Sequence, residues 1–279
     1  MKYSSKLIAF WLIAFCFSAF WLNVSVQAQV TVKLCTWNIR DIGQSKSEAE
    51  LLFIANTINN FDVVAIQEVV AGYGGAQAIA RLATKLNVSG LAWDYTVSDP
   101  TSSSAYKQER YAFLWKKSRL TKIGAALLEK QYGIEIDREP YFATFKMADK
   151  NFTLVNYHAI TKKMQPETEI KYFKFLPSAY PGLNLIFTGD FNCPESHSVF
   201  NPLKKMGYRA ALTGQKTSLR QQCIDGDCLA SEFDNIFYNS KAVTAIQADV
   251  IHFYTAFTTI EEAGKISDHV PVFFTFLIN

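Results

Sequence analysis

Asn184-Leu185-Ile186-Phe187-Thr188-Gly189-Asp190-Phe191-Asn192 decides how the rest of the chain is read. An apolar run of strand length gives way to a glycine, then to a carboxylate and an amide, so small polar groups are presented at a strand end. Ser267-Asp268-His269 mirrors it near the C-terminus, setting hydroxyl, carboxylate and imidazole just ahead of the apolar run 270–277. Asp190 and Asn192 also favour turns, and an Asx-type turn closing the strand is compatible with offering the same groups to a ligand.

Working outward, strand-like runs recur at residues 30–36, 62–67, 111–115, 141–145, 152–157, 184–188, 233–238 and 270–277. Several are apolar at every position, the pattern of interior strands covered on both faces. Ser47-Glu48-Ala49-Glu50 fits a capping box, with Leu51, Leu52, Ile54, Ala55 and Ile58 following on one helical face. A second helix is expected over 76–86, and a third after Pro166, a residue suited to a first helical turn. The polar residues cluster where strands end: Asn38, Glu68, His158, Asp190 with Asn192, Asp234, and Asp268 with His269. Six segments meeting at one edge is the arrangement an active site needs, and this mixture of groups suits a metal-assisted hydrolase.

Composition sets the frame. At 279 residues and 49% hydrophobic, the chain is long enough for one large core. Residues 1–28 read as a cleaved secretory signal rather than a retained anchor helix. Lys2 and Lys6 precede an almost wholly apolar stretch, and Val26-Gln27-Ala28 supplies small residues at a cleavage site. The remaining domain is 29–279, and the expected location is secreted or periplasmic. Without Lys2 and Lys6, the 28 basic residues fall to 26 against 25 acidic, which excludes the broad basic footprint of a tight nucleic-acid binder. Cleavage of nucleic acid stays possible if cations are local.

Cys223 and Cys228, flanking Ile224-Asp225-Gly226-Asp227, form the expected disulfide, with Cys193 to either of them as the alternative. Cys35 reads as a buried free thiol. No second close pair or nearby histidine completes a zinc site.

The ordered set Trp37-Asn38-Ile39-Arg40, Ile66-Gln67-Glu68-Val69, Asn156-Tyr157-His158, Gly189-Asp190-Phe191-Asn192 and Ser267-Asp268-His269-Val270-Pro271-Val272 resembles the endonuclease/exonuclease/phosphatase superfamily. Tyr106-Lys107-Gln108-Glu109-Arg110-Tyr111, Arg138-Glu139-Pro140 and Phe233-Asp234-Asn235 are similar to its secreted deoxyribonuclease I branch. The resemblance implies an α/β (α+β) fold, a four-layer sandwich of two packed mixed β-sheets flanked by helices. It implies a secreted, monomeric, metal-dependent endonuclease that acts on DNA rather than RNA, leaves a 5′-phosphate, and has no stable membrane association after signal cleavage. Carried onto this chain, Glu68 with Asn38 and Asp268 would hold Mg²⁺ or Mn²⁺, with Ca²⁺ as a candidate structural ion. His158 and His269 would be acid and base, oriented by Glu109 and Asp234, with the assignment between them open. Asp190 and Asn192 would position water and phosphate, and Arg138 and Tyr106 would contact phosphate.

Two departures bear on the substrate. Val70 stands where relatives of that branch commonly carry an arginine that enters the minor groove, and the Tyr106 spacing is one residue longer than the usual pattern. A phosphatase or sphingomyelinase-type phosphodiesterase on the same core is the alternative, although no lipid-docking aromatic insertion stands out. A non-catalytic binding protein is a third reading, and the complete motif set argues against it.

Overall fold

The computed structural model describes residues 31–88, 90–104 and 107–279. The expected signal segment and Tyr106 lie outside the described residues. Fourteen strands are described: β1 (Thr31–Ile42), β2 (Val63–Val70), β3 (Trp93–Val97), β4 (Glu109–Lys116), β5 (Thr121–Leu128), β6 (Tyr141–Met147), β7 (Lys150–His158), β8 (Leu185–Asp190), β9 (Tyr208–Ala210), β10 (Leu219–Ile224), β11 (Asp227–Leu229), β12 (Asp234–Asn239), β13 (Val243–Val250) and β14 (Val272–Ile278). They build two six-stranded mixed sheets, ordered β13-β14-β1-β2-β4-β3 and β5-β6-β7-β8-β12-β9, plus the hairpin β10-β11. The parallel neighbours β1–β2 and β7–β8 lie at the middle of each sheet.

The strands that read as apolar throughout are sorted by parity. On β7, Phe152 and Leu154 enter the large core between the sheets, while Val155 and Tyr157 enter a second core on the outer face of their sheet. Ile186 against Phe187, and Ile236 against Phe237, divide the same way. His158, Asp190 and Asp234 share parity with Leu154, Ile186 and Ile236, so all three face the space between the sheets, at its open end.

The facing sheet needs an irregularity to match. On β2, Gln67 and Glu68 lie opposite Tyr111 alone, because the register with β4 slips between Ile66 and Val69. Such a bulge re-aims a side chain. Glu68 takes φ 59°, and both residues turn inward: Gln67 reaches Thr36 and Asn156, and Glu68 reaches Asn38. Gly189 marks the other special point. A Cβ there would lie 1.9 Å from the Tyr157 carbonyl oxygen, so the close approach of β7 and β8 depends on glycine.

Two helices cover the first sheet. The capping box at Ser47 forms as expected ahead of α1 (Glu48–Ile58), and α2 (Tyr73–Val88) extends the expected 76–86 at both ends. After Pro166 the helix lasts only Glu167–Ile170, followed by a 3₁₀ turn at Phe173–Phe175 and the turn Leu176–Ala179. Ile170, Phe173 and Leu176, all buried, repeat at three residues, which suits 3₁₀ turns better than a continued α-helix. Cys223 and Cys228 are disulfide-bonded across the hairpin, and Cys35 and Cys193 are buried free thiols.

Candidate active site

The residues singled out at strand ends meet around one oxygen. Asp190 Oδ2 accepts a 3.1 Å hydrogen bond from Asn38 Nδ2, and lies 3.4 Å from His158 Nε2 and 3.7 Å from His269 Nε2. Its other oxygen, Oδ1, accepts from the backbone N–H of Asn192 at 2.8 Å, while Asn192 Nδ2 donates to the Ala159 carbonyl. Asn192 has φ 49°, so the turn that closes β8 is also the clamp that fixes Asp190.

Each imidazole is held from behind. His158 Nδ1 lies 2.9 Å from Glu109 Oε2, and the hydroxyl of Tyr111 accepts from the His158 backbone N–H at 3.2 Å. Arg138 donates to Glu109 Oε2 at 3.2 Å and to the Ala159 carbonyl. Asp137 and Glu139, its sequence neighbours, are not its partners. His269 Nδ1 lies 2.7 Å from Asp234 Oδ2, which also accepts from Thr217 Oγ1 at 2.6 Å. The Ser267 hydroxyl donates to the Asn38 carbonyl and accepts from the His269 N–H, tying the C-terminal motif to β1.

The two imidazoles differ in charge. Burial, then the nearby Arg138 guanidinium, pushes His158 down to about 4. Burial pushes the Glu109 carboxyl up to about 7 against the pull of Arg138. At His269 burial also works against the charged form, but Asp234 and Asp190 outweigh it and push the imidazole up to about 10. Burial raises Asp190 as well, against the pull of His269. The surroundings thus bias His158 toward its neutral form and His269 toward its charged form, a distinction no spacing in the sequence carries.

Asn38 Nδ2 also donates to Glu68 Oε1 at 3.0 Å, leaving Asn38 Oδ1 buried with no hydrogen-bond partner. Asp268 and Glu68 line one cavity of about 1040 Å³, together with Asp41, Arg220 and Lys265. An amide oxygen and two carboxylates form a hard-oxygen donor set that fits a divalent cation such as Mg²⁺ or Mn²⁺. Asp190, Asp234 and His269 also bring three ligand atoms within 4.8 Å. In that second set Asp234 Oδ2 already bonds His269 and Thr217 while Asp234 Oδ1 is buried without a partner; the all-oxygen Glu68 side is the better match to a hard cation.

Glu68 and Asp41 also border a second cavity, about 330 Å³, walled by Val70, Glu109, Arg138, His158 and Met164. Tyr106 lies outside the described residues; its neighbours Lys107 and Gln108 line this cavity. His197 and His252 lie apart from the site: His197 caps a 3₁₀ turn, and His252 is exposed beside Tyr254. Sequence reading missed Thr217, Tyr111 and the buried amide pair Gln67–Asn156, whose 2.6 Å hydrogen bond joins the two sheets beneath Glu68 and His158. Gln67 and Asn156 lay inside recognised motifs, whereas Thr217 sits in an irregular loop with no periodic signal.

Residues 35–269 match the Endonuclease/Exonuclease/phosphatase family, and the chain belongs to that family. It is 25% identical over 270 residues to a deoxyribonuclease of Thioalkalivibrio sp. (strain K90mix), covering 89% of this chain and 72% of that one. It is 26% identical over 284 residues to human deoxyribonuclease gamma, covering 91% and 88%. In structure it resembles an endonuclease/exonuclease/phosphatase family protein from Bacteroides thetaiotaomicron, with a TM-score of 0.64, 16% identity, and coverage of 90% and 98%.

Proposed function

We propose that this protein is an exported, divalent-metal-dependent endonuclease that hydrolyses DNA phosphodiester bonds. The observation that carries the reading is the pair of imidazole–carboxylate dyads, His158–Glu109 and His269–Asp234, both turned toward Asp190 Oδ2. Cleaving a diester expels an alkoxide, so it needs a proton acceptor for water and a donor for the leaving oxygen. Two imidazoles in opposite charge states supply both. DNA as the substrate is supported by the deoxyribonucleases that match about nine-tenths of the chain. Export is supported by the signal-like pattern of residues 1–28 and by the Cys223–Cys228 disulfide, which suits an oxidising compartment.

In this mechanism His158 is neutral, its Nδ1–H held by Glu109, and its Nε2 accepts the proton of an attacking water. Asp190 Oδ2, 3.4 Å away, accepts the other hydrogen of that water and so orients it. His269 donates from Nε2 to the leaving oxygen, and its charge before transfer is sustained by Asp234 and Asp190. Asn192 fixes Asp190, while Arg138 and Tyr106 are the proposed phosphate contacts. A divalent cation held by Glu68, Asn38 and Asp268 would polarise the phosphoryl group and offset its charge. The test is turnover by purified protein with Mg²⁺ on plasmid and single-stranded DNA, sphingomyelin and inositol phosphates, beside His158→Ala. Intact DNA, plasmid and single-stranded alike, with hydrolysis of either other substrate would overturn the DNA reading.

A further inference from the structure

The two loops that wall the His158 cavity also build a surface that catalysis does not use. One loop joins β5 to β6 and carries Tyr132, Ile134 and Arg138. The other follows β7 and carries Met164, Tyr172 and Phe175. Tyr132, Tyr172 and Phe175 form a ring cluster with centroid separations of 5.8, 6.1 and 6.2 Å. Packing on the second core accounts for Tyr132 and Tyr172. It does not account for Phe175 at 43% exposure, Met164 at 55%, or Ile134 at 99%.

Cations are interleaved with these rings. Lys171 Nζ lies 5.2 Å from the Tyr172 ring centroid, and Lys174 Nζ lies 4.8 Å from that of Phe175. Lys162 and Lys163 are exposed beside Met164. Among the described residues none of these four lysines is in an ion pair, whereas most of the arginines are bonded to protein groups. Of the acidic groups on the two loops, Glu129, Glu139 and Glu169 are buried and hydrogen-bonded and Asp137 and Glu167 are half-buried, leaving Glu135 exposed.

At Met164 the surface borders the site. Ile160, Thr161 and Met164 line the same cavity as His158 and Arg138. Glu169 joins the two loops, accepting from the Asp137 N–H at 2.7 Å, the Ile160 N–H at 3.1 Å and the Tyr157 hydroxyl at 2.7 Å. The platform is therefore held in fixed relation to the strand end that carries His158.

We infer that this aromatic–lysine platform binds unpaired bases of a nucleic-acid strand whose scissile phosphate lies in the His158 cavity, so that the preferred substrate is single-stranded. The inference rests on the phosphodiesterase reading above. A half-exposed ring beside two packed rings, with unpaired lysines that can swing off them, matches a strand that offers base faces and a phosphate backbone. A duplex hides its base faces within its own stack. At the cavity wall, where a cation could enter a minor groove, the residue is Val70.

The test is fluorescence anisotropy of a labelled oligothymidylate and of a labelled duplex, in EDTA so that binding is read without turnover. Phe175→Ala weakens the single strand about tenfold and the duplex less than about twofold, as expected when one stacked base is lost. Phe175→Trp restores the affinity, and Phe175→Leu, which keeps apolar bulk without a ring, does not. Thermal melts of all three variants confirm folding. Unchanged single-strand affinity in Phe175→Ala, or equal loss on the duplex, overturns the inference. So does strong binding to anionic phospholipid vesicles that Phe175→Leu preserves, which would mark a membrane-docking face. Wild-type hydrolysis of bis(4-nitrophenyl) phosphate with Mg²⁺ is read separately. Its failure removes the phosphodiesterase reading, while the binding assay still decides the platform.

Discussion

Replacing Arg138 by methionine separates two roles that one guanidinium could play. In the structure Arg138 lies 3.2 Å from Glu109 Oε2, with side chains only 11% and 9% exposed, and Glu109 in turn holds His158. If Arg138 serves to keep this dyad free of its extra proton, removing it raises the pH at which the dyad becomes competent. Two unit charges at that distance interact by about 5 kcal/mol at an effective dielectric of ~20. At ~1.4 kcal/mol per pH unit this sets a ceiling of nearly four units, and a displacement of about two is expected after local relaxation. Glu109 sits at about 7 in the intact protein, so the acidic limb of kcat/KM against pH should move from near neutrality to about 9. Arg138→Lys, which keeps the charge without the fork, should leave the limb near 7 and lower the rate modestly. The assay is a pH–rate profile on a small chromogenic diester, with circular dichroism confirming the fold. A uniform loss of kcat/KM with the limb unmoved would refute the electrostatic role and leave Arg138 as a direct phosphate contact.

Asp234→Asn should lower the pKa of His269 from about 10, and the sign of the linked stability is fixed. A raised imidazole stabilises the fold fully below its unfolded value of 6.5 and loses that contribution as pH rises through about 10. Wild type should therefore exceed Asp234→Asn by about 2 kcal/mol at pH 6 and by little above pH 10, read by urea unfolding, taking Asp234 as roughly half of the total. Gly189→Ala places a Cβ 1.9 Å from the Tyr157 carbonyl and should cost about 3 kcal/mol or more together with activity, whereas Gly264→Ala, with nothing within 4 Å, should be near neutral. Comparable melting of the two alanine variants would contradict the close-approach account. Glu68→Gln should raise the Mg²⁺ concentration for half-maximal activity at least about tenfold, and an unchanged titration would remove Glu68 as a ligand.

What could be read without coordinates was the set of groups that local pattern presents, because an apolar run ending in a polar residue predicts both a strand and the exposure of its end. That rule found Asn38, Glu68, His158 and Asp190 and put them at one edge, with Asp234 read at the start of its own run. It could not find β5 or β13, sheet-edge strands whose exposed, mixed residues carry little apolar signal. Nor could it find Thr217, which acts on Asp234 from 17 residues away through a loop without periodicity. Charge was the deepest omission. His158 and His269 are both imidazoles beside carboxylates, and by sequence they are equivalent. They diverge because Arg138 stands behind the first dyad, whereas Asp190 and Asp234 both attract the second, and each of those contacts spans strands far apart in the chain. The same holds for the substrate. Tyr132, Tyr172 and Phe175 lie on two loops separated by two strands of the second sheet, and only the fold brings their rings and lysines to one side of the cavity. The reaction class is thus written in short motifs, while proton direction and strand preference are decided by residues that meet only in three dimensions.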